Sequence, residues 1–156
     1  MNQVLDVDEE ALTARVQPGI NFAALNGSLS KRGIMIGPDP ASANRATIGG
    51  SIGNNATGSH SILYGMMADN VLATDVILSD ASLVRFGPVD SSELEALGRS
   101  DSLEGQIYRE IPRIIHGVME EILERWPKHW RRASGYNLDR LAAALLPVSY
   151  THLTLP

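Results

Sequence analysis

The residues able to do chemistry crowd into one stretch, "ANRATIGGSIGNNATGSHSILYG" at 43–65, which holds five glycines and three asparagines in 23 positions. Within it, Gly49-Gly50-Ser51-Ile52-Gly53-Asn54-Asn55 offers many unencumbered backbone amides and no acidic side chain. Glycine lets a backbone approach a ligand closely, and consecutive amides can form a nest for phosphate oxygens. The expected ligand is an anion, with pyrophosphate the first choice. Thr47, Ser51, Asn54 and Asn55 add donors and acceptors for phosphate, a ribityl chain or a ring edge. A second reading also fits, in which the glycines only serve tight turns of an irregular connection. Just upstream, "GPDPAS" at 37–42 sets Asp39 between two prolines in a rigid bend, which favours the ligand reading.

Familiar phosphate motifs do not fit. A Walker loop needs Lys and then Ser or Thr after its last glycine, and Asn54-Asn55 follow Gly53. A dinucleotide fingerprint of the Rossmann type needs a different glycine spacing, a strand before and a helix after. Asp69 lies at the distance of a ribose-binding acid, but no helix is expected between it and the glycines. His60, His116 and His129 show no ligand spacing, so no metal site is expected. His60 beside the glycine stretch has two readings, one near a bound ring and one as an ordinary surface histidine. Arg131 and Arg132, next to Ser134-Gly135-Tyr136-Asn137, match either a bidentate clamp on a carboxylate or a pair of solvated arginines after a helix. No residue qualifies as a catalytic base.

Composition narrows the classes. The 156 residues carry a net charge of −5, which gives no electrostatic reason for a nucleic-acid or anionic-membrane partner. There is no cysteine, so no disulfide, thiolate zinc or iron–sulfur site lies within these residues. No run approaches the roughly 18 apolar residues of a membrane span, and the start "MNQVLDVDEE" is acidic. A soluble, cytoplasmic protein is expected. Both ends read as cut, and the tail 142–156 reads as truncated or non-native, so a fragment is expected.

The elements that must position the glycines follow from periodicity. Residues 3–16 alternate loosely around the acidic turn Asp8-Glu9-Glu10, as two short strands or a hairpin would. A helix is expected from Asn21 as cap, with Phe22, Leu25 and Leu29 as its stripe and Gly33 as its left-handed stop. The segment from Ile34 to Ser61 has neither period, and reads as an ordered, mostly buried binding loop. Strands at 71–78 and 83–86 return through Asp80-Ala81, where a type I′ turn would force Ala81 into positive φ. Capping patterns at Ser92/Glu95 and Asp101/Glu104 introduce a helical part at about 92–126. In it Ile107, Ile111, Ile114, Ile115, Val118, Ile122 and Leu123 make one apolar face, Pro112 kinks the helix or starts a fresh turn, and Trp126-Pro127 ends it. The stretch "KHWRRASGYNLDRLAAALL" then reads as a basic turn leading to a short helix, which completes an α+β class, strands first and helices after.

These pieces in order, "VQPGI" at 16–20, "GPDPAS", "ATIGGSIGNNATGSHS" at 46–61, "YG" at 64–65, "DNVLATDVILSD" at 69–80 and "SGYNLDRL" at 134–141, resemble the flavin-binding domain of the FAD-linked oxidases. That family includes glycolate oxidase, D-lactate dehydrogenase and D-2-hydroxyglutarate dehydrogenase, and shares the fold of vanillyl-alcohol oxidase and p-cresol methylhydroxylase. The resemblance covers about 4–141 and implies a partial flavin domain over 1–141, mainly its second lobe, with a mixed or antiparallel sheet flanked by helices. It also implies FAD as cofactor, a small 2-hydroxy acid as substrate and a separate electron acceptor. The helical insert and "RRASGYNLD" look most like large bacterial members that add an iron–sulfur part. Carried over by motif, Pro38, Asp39 and Ser42 would lie against the cofactor. Thr47, Gly49, Gly50, Ser51, Gly53, Asn54, Asn55 and Gly58 would contact pyrophosphate, ribityl or isoalloxazine, with Tyr64 and Gly65 closing the loop. A non-catalytic binding or assembly module of the same fold is the competing expectation.

The family's other glycine-rich loop has no counterpart in these residues, so the chain is expected to bind FAD weakly or not at all by itself. Gel filtration of the purified chain loaded with FAD should separate a colourless protein from free flavin; a yellow protein peak would contradict this.

Overall fold

The computed structural model describes residues 1–129 and 135–146. Arg131, Arg132, Ser134, Trp130 and the tail from Pro147 therefore lie outside the described residues. The chain divides into two compact units, Met1–Leu72 and Ala73–Pro156.

In the first unit, β1 (Val4–Asp8) and β2 (Thr13–Val16) form the expected antiparallel hairpin, and the Asp8 carboxylate accepts from the amides of Glu10 and Ala11 to set its turn. Helix α1 (Phe22–Leu29) starts where Asn21 Oδ1 accepts from Ala24 N. It passes into a 3-10 turn at Ser30–Arg32 and stops at Gly33, whose φ of 72° suits a residue without Cβ. Its buried stripe Phe22, Leu25 and Leu29 packs with Ile20, Ile48 and Met67 into one core.

The segment expected to be irregular is so over most of its length, with one exception. Ile48–Gly53, "IGGSIG", is a helix, α2, capped by Thr47 Oγ1, which accepts from Gly50 N at 3.2 Å. Periodicity could not reveal it, since three glycines blur the apolar pattern and are poor helix formers. Tertiary bonds override that propensity. Ile48 N donates to Ile20 O at 2.8 Å and Gly49 N to Pro18 O at 2.9 Å, while Phe22 N donates to Ala46 O at 3.2 Å and Ala23 N to Ala43 O at 3.0 Å. Residues 43–49 are thus zipped against 18–23. A second short helix, α3 (Ser61–Tyr64), and a 3-10 turn at Met67–Asn70 complete the unit.

In the second unit β3 (Thr74–Ile77) and β4 (Leu83–Phe86) form an antiparallel hairpin, shorter at its start than expected. Among the described residues the sheets are two separate two-stranded hairpins, in place of one mixed or larger sheet. The α+β class holds in that form. The turn is not type I′. Ala81 N donates to Leu78 O and Leu78 N to Ser82 O, with only Ala81 at positive φ (66°), so a three-residue loop ends in a bulge residue.

Helix α4 (Ser91–Gly98) begins two residues earlier than the Ser92/Glu95 pattern implies. Asp90 is the cap, accepting from Ser92 N and Glu93 N, and the Glu93 carboxylate accepts from Asp90 N. The Ser92 hydroxyl, and then the Glu93 amide, hold the Asp90 carboxyl below the usual aspartate range. At α5 (Leu103–Gly117) the cap is Ser102 instead of Asp101, with Ser102 Oγ accepting from Gly105 N. An aspartate or serine one or two places away satisfies the same orphan amides, so the spacing alone could not choose. Pro112 sits inside α5 without ending it, and the break comes at Val118, before α6 (Met119–Arg125). Trp126 ends α6 in extended backbone, as the following proline requires. With α7 (Leu138–Leu145), these helices bury Ile115, Ile122 and Ala142. The expected apolar face is only partly used: Ile111, Ile114, Val118 and Leu123 remain exposed.

Left-handed backbone at a residue with a Cβ costs about 1–2 kcal/mol. Ala81→Gly should therefore raise stability by about 0.5–1 kcal/mol once the extra freedom of glycine in the unfolded chain is set against that gain. Urea unfolding followed by circular dichroism checks it, and an unchanged or lower midpoint would be the contrary result.

Candidate functional site

The zipper leaves no free amide nest. Ile48, Gly49, Gly50 and Ser51 spend their N–H groups on Ile20 O, Pro18 O, Thr47 Oγ1 and Thr47 O, and Asn54, Asn55 and Ala56 spend theirs on Gly50 O, Ile52 O and Ser51 O. The expectation that these backbone amides cradle an anion is corrected by that geometry.

The helix instead presents side chains at helical spacing. Thr47, Gly50, Ser51 and Asn54 stand at i, i+3, i+4 and i+7, and line a groove of about 360 Å³ together with Ser42 and Arg45. No carboxylate lines it. The Thr47 hydroxyl accepts from Gly50 and keeps its own proton to donate. Asn54 Nδ2 donates to Gly50 O at 3.1 Å, which leaves its carbonyl oxygen and second N–H for another partner. Gly50 keeps the floor low, and Gly53 is exposed, with open space where a Cβ would stand. A groove of this volume takes part of a dinucleotide, not all of it.

The other expected site residues hold the groove's support. Pro38 is fully buried. A Cβ on Gly49 would stand 2.8 Å from the Pro18 ring. Gly58 packs on the Asp39–Pro40 backbone so closely that a Cβ would overlap the Asp39 carbonyl. There Ser59 N donates to Asp39 O at 3.0 Å, Ser59 Oγ donates to Asp39 Oδ2 at 3.1 Å, and Gly58 N donates to Ser61 Oγ. Asp39 thus clamps its own bend to the loop at 58–61. Asn55 turns inward: it is buried in left-handed backbone (φ 44°), its Oδ1 accepts from Ala68 N at 2.9 Å, and its Nδ2 points at Met66 Sδ. Gly65 takes φ 75°, beside the Asp69 carboxylate. That carboxylate accepts from Met66 N at 2.7 Å, which is a local turn and not a ribose contact.

Tyr64 lies elsewhere. With Met35, Ser59, His60, Ile62 and Leu63 it lines a second open groove of about 400 Å³. His60 meets the Tyr64 ring edge-on at 6.4 Å between centroids, and its Nδ1 stands 4.0 Å from Asp39 Oδ2. The structure thus brings Ser42, Thr47, Gly50, Ser51 and Asn54 together and places Tyr64 apart. Among the described residues no three His, Asp or Glu side chains converge as metal ligands, and no helix is long and apolar enough to cross a membrane. Arg45 is the groove residue missed by motif reading, although it is the one Asp, Glu, Lys or Arg between Asp39 and Asp69.

The chain belongs to the FAD-linked oxidase family: its residues 1–87 match the family model described as an FAD binding domain. FAD is the cofactor of that domain. The chain is 33% identical over 138 residues to D-2-hydroxyglutarate dehydrogenase of Pantoea ananatis, a match covering 88% of this chain and 14% of that protein. It is 39% identical over 87 residues to glycolate oxidase subunit GlcD of Bacillus subtilis, covering 56% of this chain and 18% of the relative. It is 36% identical over 85 residues to the mitochondrial cytochrome D-lactate dehydrogenase 1 of Saccharomyces cerevisiae, covering 54% and 14%. The chain thus spans about one-seventh of the length of the D-2-hydroxyglutarate dehydrogenases it matches.

Two alanine substitutions separate support from surface. Gly58→Ala should lower stability by about 2 kcal/mol or more, since backbone must move to admit the methyl group. Gly53→Ala should leave stability unchanged or raise it by up to about 1 kcal/mol, as alanine favours helix over glycine. Thermal unfolding of the two variants would contradict this assignment if Gly53→Ala proved the more damaging.

Proposed function

We propose that this chain is the flavin-facing part of an FAD-dependent oxidoreductase that oxidises a small 2-hydroxy acid, of the glycolate, D-lactate or D-2-hydroxyglutarate class, with a separate electron acceptor. The observation that carries the reading is the groove over α2, where Ser42, Thr47, Gly50 and Asn54 converge without a carboxylate on residues the family model matches. D-2-hydroxyglutarate is favoured within the class. Matches to proteins of that name run over 138 to 145 residues, into the helical part of this chain, whereas those to GlcD run over 87 to 107.

FAD, when bound, supplies the redox chemistry by accepting hydride from the substrate carbon. The chain's own residues orient and exclude. Thr47 donates its remaining hydroxyl proton, and Asn54 offers its carbonyl oxygen and an amide proton, to the polyol or phosphate part of the cofactor. Gly50 keeps the groove floor low enough for close approach. Ser51 lines the groove, and Pro38, Asp39, Gly49, Asn55, Gly58 and Gly65 act one layer below, by fixing where α2 and its flanking bend stand. Tyr64 and His60 border the second groove and carry no assigned step. The proposal includes a partial domain of the p-cresol methylhydroxylase type, acting within a longer cytoplasmic flavoprotein.

Gly50→Asp adds bulk and a negative charge to the groove floor, and a carboxylate beside phosphate is unfavourable by several kcal/mol where water is excluded. The full-length flavoprotein carrying this substitution should fold yet purify without flavin, read from the ratio of absorbance near 450 nm to that at 280 nm, with the band position set by flavin in general. Full flavin content in Gly50→Asp would reject the α2 groove as its site.

A further inference from the structure

The amides of α2 are spent within the chain, so any negative charge received in its groove must be met by a side chain. One is available. Arg45 lines the groove beside Ser42, Thr47, Gly50 and Asn54, with no acid among the lining residues. It is the single formally charged residue from position 40 through 68. Elsewhere in the molecule arginines are paired: Arg32 with Glu9, Arg85 with Asp75, Arg99 with Glu95, Arg113 with Glu110 and Arg125 with Glu121. The Arg45 side chain makes no ion pair or hydrogen bond among the described residues. Acids outnumber Lys and Arg by 18 to 13 in this chain, so an arginine without an acidic partner among the described residues is available to an incoming anion.

We infer that Arg45 is a phosphate-binding residue of the α2 groove, its guanidinium taking an oxygen of the FAD pyrophosphate. The inference rests on the proposal that this groove faces FAD, and adds the group that meets its charge. A guanidinium is a planar fork of donors that matches two phosphate oxygens at once, and it stays charged at every physiological pH. Ser42 and Thr47 beside it offer hydroxyl donors to the remaining oxygens. The pair would be partly exposed, so its strength should fall with salt, since the screening length is about 8 Å at physiological ionic strength.

Nuclear magnetic resonance of the chain, titrated at low salt with FAD, riboflavin or inorganic pyrophosphate up to millimolar concentration, registers binding too weak to survive gel filtration. FAD and pyrophosphate should shift the Arg45 Nε–H resonance, and riboflavin, which has no phosphate, should not. Arg45→Gln should weaken FAD binding roughly tenfold, the loss shrinking as salt is raised, while Arg45→Lys recovers part of it. If FAD moves the Gly50 and Asn54 amides but Arg45→Gln binds FAD as tightly as the parent, the groove stands and the arginine assignment falls. If riboflavin shifts Arg45 as FAD does, the contact is not with phosphate and the assignment again falls. If the full-length flavoprotein keeps its full flavin content in both Gly50→Asp and Arg45→Gln, both the groove and the arginine are overturned.

Discussion

The antiparallel zipper between residues 18–23 and 43–49 is the constraint on which the first unit depends. Four backbone bonds tie the entry and first residues of α1 to the stretch that follows the proline bend, and so close a loop that contains the rest of α1 and that bend. The same bonds hold α2 at its first two amides, which lets a glycine-rich hexapeptide be a helix against its own propensity. Ile48 enters the core with Ile20, Phe22 and Met67 at that junction, so burial and hydrogen bonding act at one place. Remove the zipper, and neither the direction of α2 nor the side chains it presents would be defined.

Glycine does two different jobs on this frame. At Gly49 and Gly58 neighbouring backbone and proline occupy the space of a Cβ, and at Gly65 the backbone is left-handed. Those positions serve packing. At Gly53 the space is open, and Gly50 meets only its own cap hydroxyl at 3.1 Å. Nothing in the packing demands glycine at Gly53. The distinction turns a run of similar letters into a supporting layer and a presenting face.

Much of the frame was legible in the residues. The Asn21 cap, the Gly33 stop, both hairpins and the end of α6 at Trp126 are local effects, each decided by one or two side chains. What was hidden is non-local. Helix α2 is dictated by carbonyls of Pro18 and Ile20, some 30 residues away, which no window of periodicity reports. The shift of the cap from Ser92 to Asp90 and from Asp101 to Ser102 reflects near-degenerate choices among capping residues. The inward turn of Asn55 depends on Ala68, and the separation of Tyr64 from the α2 groove depends on how α3 leaves the loop. Arg45 was visible as an isolated charge, but a lone arginine acquires meaning only when the groove beside it is seen to hold no carboxylate.

The inward bonding of the glycine segment has an entropic consequence. Fixing a residue's backbone costs roughly 1–2 kcal/mol, and a floppy glycine loop would charge that cost to every ligand it closed upon. Here the six residues of α2 and the Asp39 clamp are ordered by the protein's own contacts before anything arrives. Folding has already absorbed the loss. A cofactor docking on this face would meet a rigid surface, and its affinity would be set by the few groups that point outward, not by the ordering of the chain beneath them.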